Sequence, residues 1–252
     1  MALVYREDPD LEILKNCINE ELEVLETILI KDKNGTPRMT EKLTYEERYQ
    51  KHFPNRKKYW DLIMAEYQTF GGNTFANILR GGKGVLYKEI LVEVAKVLKV
   101  PFHPEQDTTT IEEYLLKTII KKSLENLSEK ELKKILSEMN INVKGNAPGK
   151  KALIIAIQTS LKAGGFATYQ FAVIVANIVA KQIIGKGLSF TANALLTKWL
   201  SVLINPFATI VMAIWTAIDI AGPAYRVTIP ATIYIAALRQ IYLNKEYLNK
   251  EN

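Results

Sequence analysis

The chain has 252 residues, a formal net charge of +6 and a single cysteine, Cys17. That length buries a sizeable core in one or two domains, and one thiol excludes an internal disulfide and suits a reducing compartment. The charge is split: residues 1–138 hold 22 Lys/Arg against 24 Asp/Glu, whereas residues 139–252 hold 11 against 3, and so basic and aliphatic a second half suits an anionic membrane surface better than nucleic acid.

The opening residues, Met1 to Asp8, show no signal-peptide pattern, which points to the cytoplasm, with a peripheral or integral position at the inner membrane left open. From Asp10 the apolar positions Leu11, Leu14, Ile18, Leu22, Leu25 and Leu29 recur in steps of three and four, the period of an amphipathic helix. Asn19 is the expected cap of a second short helix, followed by Glu20 and Glu21 where acids favour the dipole. Cys17 on this face reads as a buried small hydrophobe. Lys33 to Pro37 reads as a turn. Residues 1–40 are therefore taken as an N-terminal helical segment.

Thr44-x-x-Glu47 has the form of a capping box, opening a helix that stops before Pro54. Asn55 is placed to cap the next helix, where Trp60, Ile63, Met64 and Tyr67 share a face and Gly71 sits at the C-terminal end. The glycine-rich corner Asn73–Gly84 follows, then a helix over Val85–Leu98. Glycine-rich backbone before a helix can cradle an anion, so Asn73, Asn77, Arg80 and Lys83 are candidate ligand-binding residues. No strand precedes the corner and the Walker spacing is absent. His52 and His103 fall in loops without metal-ligand spacing, so neither a metal nor another cofactor is expected. Residues 41–104 form the second expected region.

Residues 105–162 read as a helical connector. Thr110-x-x-Glu113 and Ser128-x-x-Glu131 are two more capping boxes, opening helices over Ile111–Leu124 and Glu129–Met139. Ser128–Ile157 has the helix–extended loop–helix shape of SAP-type nucleic-acid modules. Only Lys144, Lys150 and Lys151 offer phosphate contacts there, which counts against nucleic acid as a partner.

Residues 163–252 hold the apolar block and the last helix. Between Ala163 and Ile218 the only charges are Lys181, Lys186 and Lys198, and glycines and Pro206 divide the block into three expected helices. Trp199–Ile218 is uncharged for twenty residues, long enough to span a hydrocarbon core of roughly 30 Å. Ala172, Ala176 and Ala180 make one small-residue stripe, and Ala213, Ala217 and Ala221 a second. With Trp199 and Trp215 they are the expected face toward a membrane or a protein partner, the other reading being an alanine-packed seam inside a bundle. Asp219 stands alone in apolar surroundings and is expected to pair with Arg226 or Lys198. Tyr225 and Arg226 join the candidate ligand-binding set, and a final helix is expected over Ala231–Tyr242.

No stretch alternates with period two, so the expected fold class is all-α: a multi-helix bundle with a strongly apolar C-terminal helical block. The motifs FGGNTFANILRGGKGVLYKEILVEVAKVLKV (70–100), GFATYQFAVIVANIVAKQIIGKGLSFTANALLTKWL (165–200) and DIAGPAYRVTIPATIYIAALRQ (219–240) resemble those of the YaaW-like family of uncharacterised bacterial proteins. The opening DLEILKNCINEELEVL is similar to the segment preceding that family's main domain. The family often carries a ubiquinol–cytochrome c chaperone-like label, and the mitochondrial proteins behind it are all-helical and assist assembly of a membrane respiratory complex. The resemblance implies a non-enzymatic, chaperone- or stress-related protein acting at or on a membrane, and supplies no catalytic residues. Two other readings stay open: a membrane-inserting, pore-forming effector, or a soluble ligand-binding protein using the Asn73–Gly84 corner. The partner is then a membrane surface or a protein, and an oligomer is compatible with either.

Overall fold

The computed structural model describes residues 2–32, 34–71, 84–138, 140–143, 148–160, 164–189 and 224–245. Among them are nine α-helices: α1 (Asn19–Ile30), α2 (Glu47–His52), α3 (Trp60–Gly71), α4 (Tyr87–Val97), α5 (Thr108–Asn126), α6 (Glu129–Glu138), α7 (Lys150–Ser160), α8 (Gly164–Ile184) and α9 (Tyr225–Leu243). Three short 3-10 turns accompany them at Glu12–Asn16, Leu43–Tyr45 and Arg56–Lys58. The described residues hold no strand, only one bridge between Lys31 and Pro37, so the fold is all-α.

The architecture is built around α9. Every residue from Val227 to Ile241 is buried. A helix that is apolar all round must be enclosed on every side, and α9 packs most extensively on α8 and also contacts α1, α3, α4, α5 and the Glu12–Asn16 turn. Burying Ile233, Ile235, Leu238 and Ile241 contributes about 1.5–3 kcal/mol each. Buried side chains from Leu3 to Ile241 form one continuous cluster. The pair α6 and α7 lies to one side, packed on each other, with α7 also touching α5.

The structure corrects several expected boundaries. The final helix starts at Tyr225, six residues before Ala231, with Pro230 inside it. Pro230 is the sixth residue of the helix, so the bond to the Arg226 carbonyl is lost, and the helix continues through it while buried against its neighbours. Thr44 does not cap a helix: its N–H and hydroxyl both bond the Glu41 carboxylate, and α2 starts after Glu46 instead. The cap of α5 is Asp107, not Thr110. Asp107 accepts the N–H of Thr110 at 2.8 Å and its hydroxyl at 2.7 Å, so the helix begins three residues before Ile111. Asn19 is the first residue of α1 rather than its cap, and Glu21 reaches back to accept the Ile18 N–H at 2.8 Å. The Ser128–Glu131 box forms as expected, with the Glu131 carboxylate taking both the Ser128 N–H and hydroxyl at 2.7 Å.

Two helix ends use the left-handed conformation without glycine. Lys99 has φ 54° and Asn140 has φ 55°. In each case the following N–H reaches back five residues, Val100 to the Ala95 carbonyl at 2.9 Å and Ile141 to the Leu136 carbonyl at 2.8 Å. These are Schellman closures, and the first ends α4 before Pro101 is reached. α8 stops where Gly185 takes φ 74°, and Asn177 then accepts the Leu188 N–H at 2.9 Å, folding the chain back on the helix.

Gly84 marks the closest backbone approach. The neighbouring Val85 N–H bonds the Gln68 carbonyl at 3.0 Å, and a Cβ on Gly84 would sit 2.4 Å from Gln68 Cβ and 2.6 Å from its carbonyl carbon. Backbone cannot move aside as a side-chain tip can. Gly84→Ala is therefore expected to cost about 2 kcal/mol or more. Urea unfolding measures it, and an unchanged midpoint would refute the contact.

Candidate functional site

Asn73, Asn77, Arg80 and Lys83 lie outside the described residues, as do Trp199, Ala213, Trp215, Ala217 and Asp219. Tyr225 is half-buried and Arg226 exposed in the first turn of α9. Arg38 lies near Arg226: burial lowers the Arg38 guanidinium, Arg226 adds to the lowering and Asp32 opposes it. Ala172, Ala176 and Ala180 have no exposed surface. They sit on α8, whose main neighbour is α9, so in this chain they face the protein interior. No described helix is long and apolar enough to cross a membrane.

The densest polar constellation is one that sequence reasoning missed. Arg239, 4% exposed, projects from the buried helix α9. Its Nε donates to Glu112 Oε1 on α5 at 2.6 Å, one terminal nitrogen donates to Asp10 Oδ1 at 3.0 Å, and the other to the Asp10 carbonyl. Gln240 donates to Glu112 Oε2 at 2.8 Å, and the Tyr87 hydroxyl of α4 donates to Glu112 Oε1 at 2.7 Å. The guanidinium also lies 5.4 Å from the Tyr87 ring centroid, in cation–π range. Glu112 is fully buried. Burial pushes its carboxyl up to about 7, while Arg239, Tyr87 and Gln240 pull the other way. Burial, reinforced by Glu112, raises the Tyr87 phenol well above its ordinary range.

The N-terminal segment completes this constellation. Asp8 Oδ2 accepts the Tyr87 N–H at 2.6 Å, so a carboxylate from the start of the chain satisfies the N-terminus of α4. Asp10 Oδ2 accepts the Thr108 hydroxyl of α5 at 2.7 Å. Upstream, the Gln68 amide grips the Arg6 backbone twice, accepting its N–H at 3.0 Å and donating to its carbonyl at 2.9 Å. Arg6 in turn donates to the Gly84 carbonyl at 3.2 Å, at the edge of the glycine-rich corner.

A second buried cluster ties α1 to the Arg56–Lys58 turn. Glu26 accepts from Arg56 Nε at 2.6 Å and from the Tyr59 hydroxyl at 2.8 Å, and Asn19 accepts the Arg56 N–H at 2.7 Å. Cys17 is fully buried, and burial, with Glu21 beside it, raises its thiol well above the ordinary range. That thiol is a core hydrophobe, not a nucleophile. Among the described residues no His, Cys, Asp and Glu side chains are grouped so as to hold a metal ion. Between α6 and α7 lies an open hollow lined by Ile141, Val143, Ala152, Ile155 and Ala156, a mostly aliphatic surface. Chemically the Arg239 constellation binds elements together: each polar group in it is engaged by another, and a carboxylate facing three donors is held in one orientation.

A signal for it exists in the sequence. Glu112 lies on the apolar stripe Thr108, Leu115, Leu116 and Ile119 of α5, and Arg239 is the one charged residue in the buried run Val227–Ile241 of α9. An acid and a base, each on a buried face, require each other.

The fold and this internal polar staple define an all-α scaffold whose terminal segments close on one another. The family described as Ubiquinol-cytochrome C chaperone matches residues 55–233, and the Domain of unknown function (DUF3944) matches residues 5–39. A UPF0174 protein of Helicobacter pylori strain J99 is 46% identical over 237 residues, 94% of this chain and 93% of that one. A UPF0174 protein of Helicobacter pylori strain 26695 is 38% identical over 204 residues, 80% of this chain and 97% of that one. UPF0174 protein YaaW of Escherichia coli K12 is 29% identical over 247 residues, 96% of this chain and 98% of that one. The chain belongs to the family described as Ubiquinol-cytochrome C chaperone and, by its relatives, to the YaaW-like UPF0174 proteins. No solved structure matches it.

Replacing Arg239 by Met strands the Glu112 and Asp10 carboxylates, with an expected loss of about 3–5 kcal/mol. Adding Glu112→Leu is expected to recover part of it, because the buried charge goes too. A double-mutant cycle by denaturant unfolding reads the coupling, and additive single effects would disprove it.

Proposed function

We propose that this chain is a non-enzymatic, chaperone-like protein that holds an apolar protein partner at the cytoplasmic face of a membrane. The family match over residues 55–233 carries the reading. Charge distribution supports the membrane part: residues 139–252 hold 11 Lys/Arg against 3 Asp/Glu, a balance that draws the chain toward anionic lipid. The twenty-residue uncharged stretch Trp199–Ile218 favours a second reading, in which the chain inserts that stretch into lipid as a pore-forming effector. The Asn73–Gly84 corner, with Tyr225 and Arg226, remains the proposed ligand or partner contact.

Holdase activity needs no nucleotide, so the assay is direct. The purified full chain is expected to suppress aggregation of a thermally unfolded client at about equimolar ratio without ATP, and to float with vesicles containing anionic lipid but less with neutral ones. Unchanged client aggregation would remove the chaperone reading. Dye release from the same vesicles would favour the pore-former instead.

A further inference from the structure

Glu66, on α3, is 1% exposed. Its Oε1 accepts the Lys42 N–H at 3.1 Å. Its Oε2 is the one buried side-chain nitrogen or oxygen among the described residues without a hydrogen-bond partner. Two further carboxylates act on it from the adjoining segment. Glu41 is buried, with its oxygens taken by the N–H and hydroxyl of Thr44, and Glu46 accepts the Leu3 N–H at 2.6 Å. Lys42 is the cation that faces it. The other elements packed on α3 carry charges with partners of their own. Glu26 of α1 is held by Arg56, Glu89 of α4 by Arg6, Arg239 of α9 by Glu112 and Asp10, and Glu12 by Lys15, while Asp61 of α3 itself is held by Arg48.

An ionised carboxylate in this setting has one donor for several lone pairs and two like charges beside it, whereas the neutral acid avoids a buried, under-compensated charge. We propose that Glu66 is a proton-operated latch on the N-terminal segment: as the neutral acid it seats the turn at residues 41–46, and on ionising it loosens that turn together with Leu3, which hangs from Glu46. Burial pushes Glu66 up to about 7, the Lys42 contacts oppose the shift, and Glu41 and Glu46 add to it. The folded value lies above the ordinary 4.5, so the stabilising contribution is complete below about 4.5 and is lost as pH rises through about 7. The latch therefore opens on the alkaline side of neutrality.

Glu112 shifts in the same window, so the test must separate the two. In the full chain, the carboxyl carbon of Glu66 followed by NMR from pH 4 to 9 is expected to titrate near 7, and a midpoint below about 5.5 would overturn the proposal. Thermal unfolding against pH should show wild type losing stability between pH 4.5 and 7. Glu66→Gln, neutral throughout, should show a shallower loss, so that the folded-to-unfolded ratio of wild type relative to the variant falls about a hundredfold across that window. Glu112→Gln should keep the Glu66 dependence. At pH 8, deuterium exchange at residues 3–10 and 41–46 should be about tenfold slower in Glu66→Gln than in wild type, and equal exchange would mean ionisation opens nothing. Should the variant fail to fold, wild-type exchange at pH 6 and 8, corrected for intrinsic rates, decides the same point.

Discussion

A helix buried on every side imposes one condition on the rest of the chain: each polar side chain it carries must find its partner inside the protein. α9 carries Arg239 and Gln240, and the charge on Arg239 is too costly to bury alone. Glu112 from α5 and Asp10 from the N-terminal segment answer it directly, and Tyr87 from α4 answers Glu112. Those contacts fix the angular setting of α9 about its own axis. Apolar packing alone would leave that setting loose, since nearly every face of the helix is equally greasy. Other contacts of the helix follow the same logic: Thr232 shares a hydrogen bond with Tyr67 at 2.8 Å, and Tyr234 donates to the Glu21 carbonyl at 3.2 Å.

Residues 3–10 are fastened to the core through side chains. Asp8 caps α4, Asp10 counters Arg239, and Arg6 lies in the grip of Gln68 with its guanidinium on Gly84. The two stretches matched to separate family descriptions, 5–39 and 55–233, therefore interlock through side chains. Arg239 lies just beyond the second stretch and joins both. The glycine-rich corner is anchored at its two described flanks, Gly71 and Gly84, by elements that this N-terminal segment helps to hold.

Periodicity made most helices legible, because three- and four-residue apolar spacing reports a one-sided burial directly. Gly185 and the Ser128–Glu131 pair marked ends for local reasons that the sequence states. The errors were of one kind. Thr44 and Thr110 each have an acid three residues downstream, yet each bonds an acid three residues upstream, Glu41 and Asp107, and a spacing rule cannot tell the two directions apart. Tyr225–Pro230 belongs to the last helix although it ends in a proline, because burial against neighbouring helices outweighs the local signal. The alanine stripe of α8 was visible, but which surface it meets depends on where α9 lies, and that is a tertiary fact. The Arg239–Glu112 pair was harder still, with 127 residues between its members and no local pattern to join them.

The order of synthesis gives the central position of α9 a further meaning. The helix at the middle of the bundle follows every other described helix in chain order. When the ribosome has delivered α1, α3, α4, α5 and α8, each of these still lacks one of its packing partners, α9. At about 5–20 residues per second, the interval between α5 and α9 is several seconds to tens of seconds. Contacts of such long sequence separation also close slowly. A nascent chain of this kind displays part of its own core to the cell until α9 arrives, and over that interval it must itself be kept from aggregating.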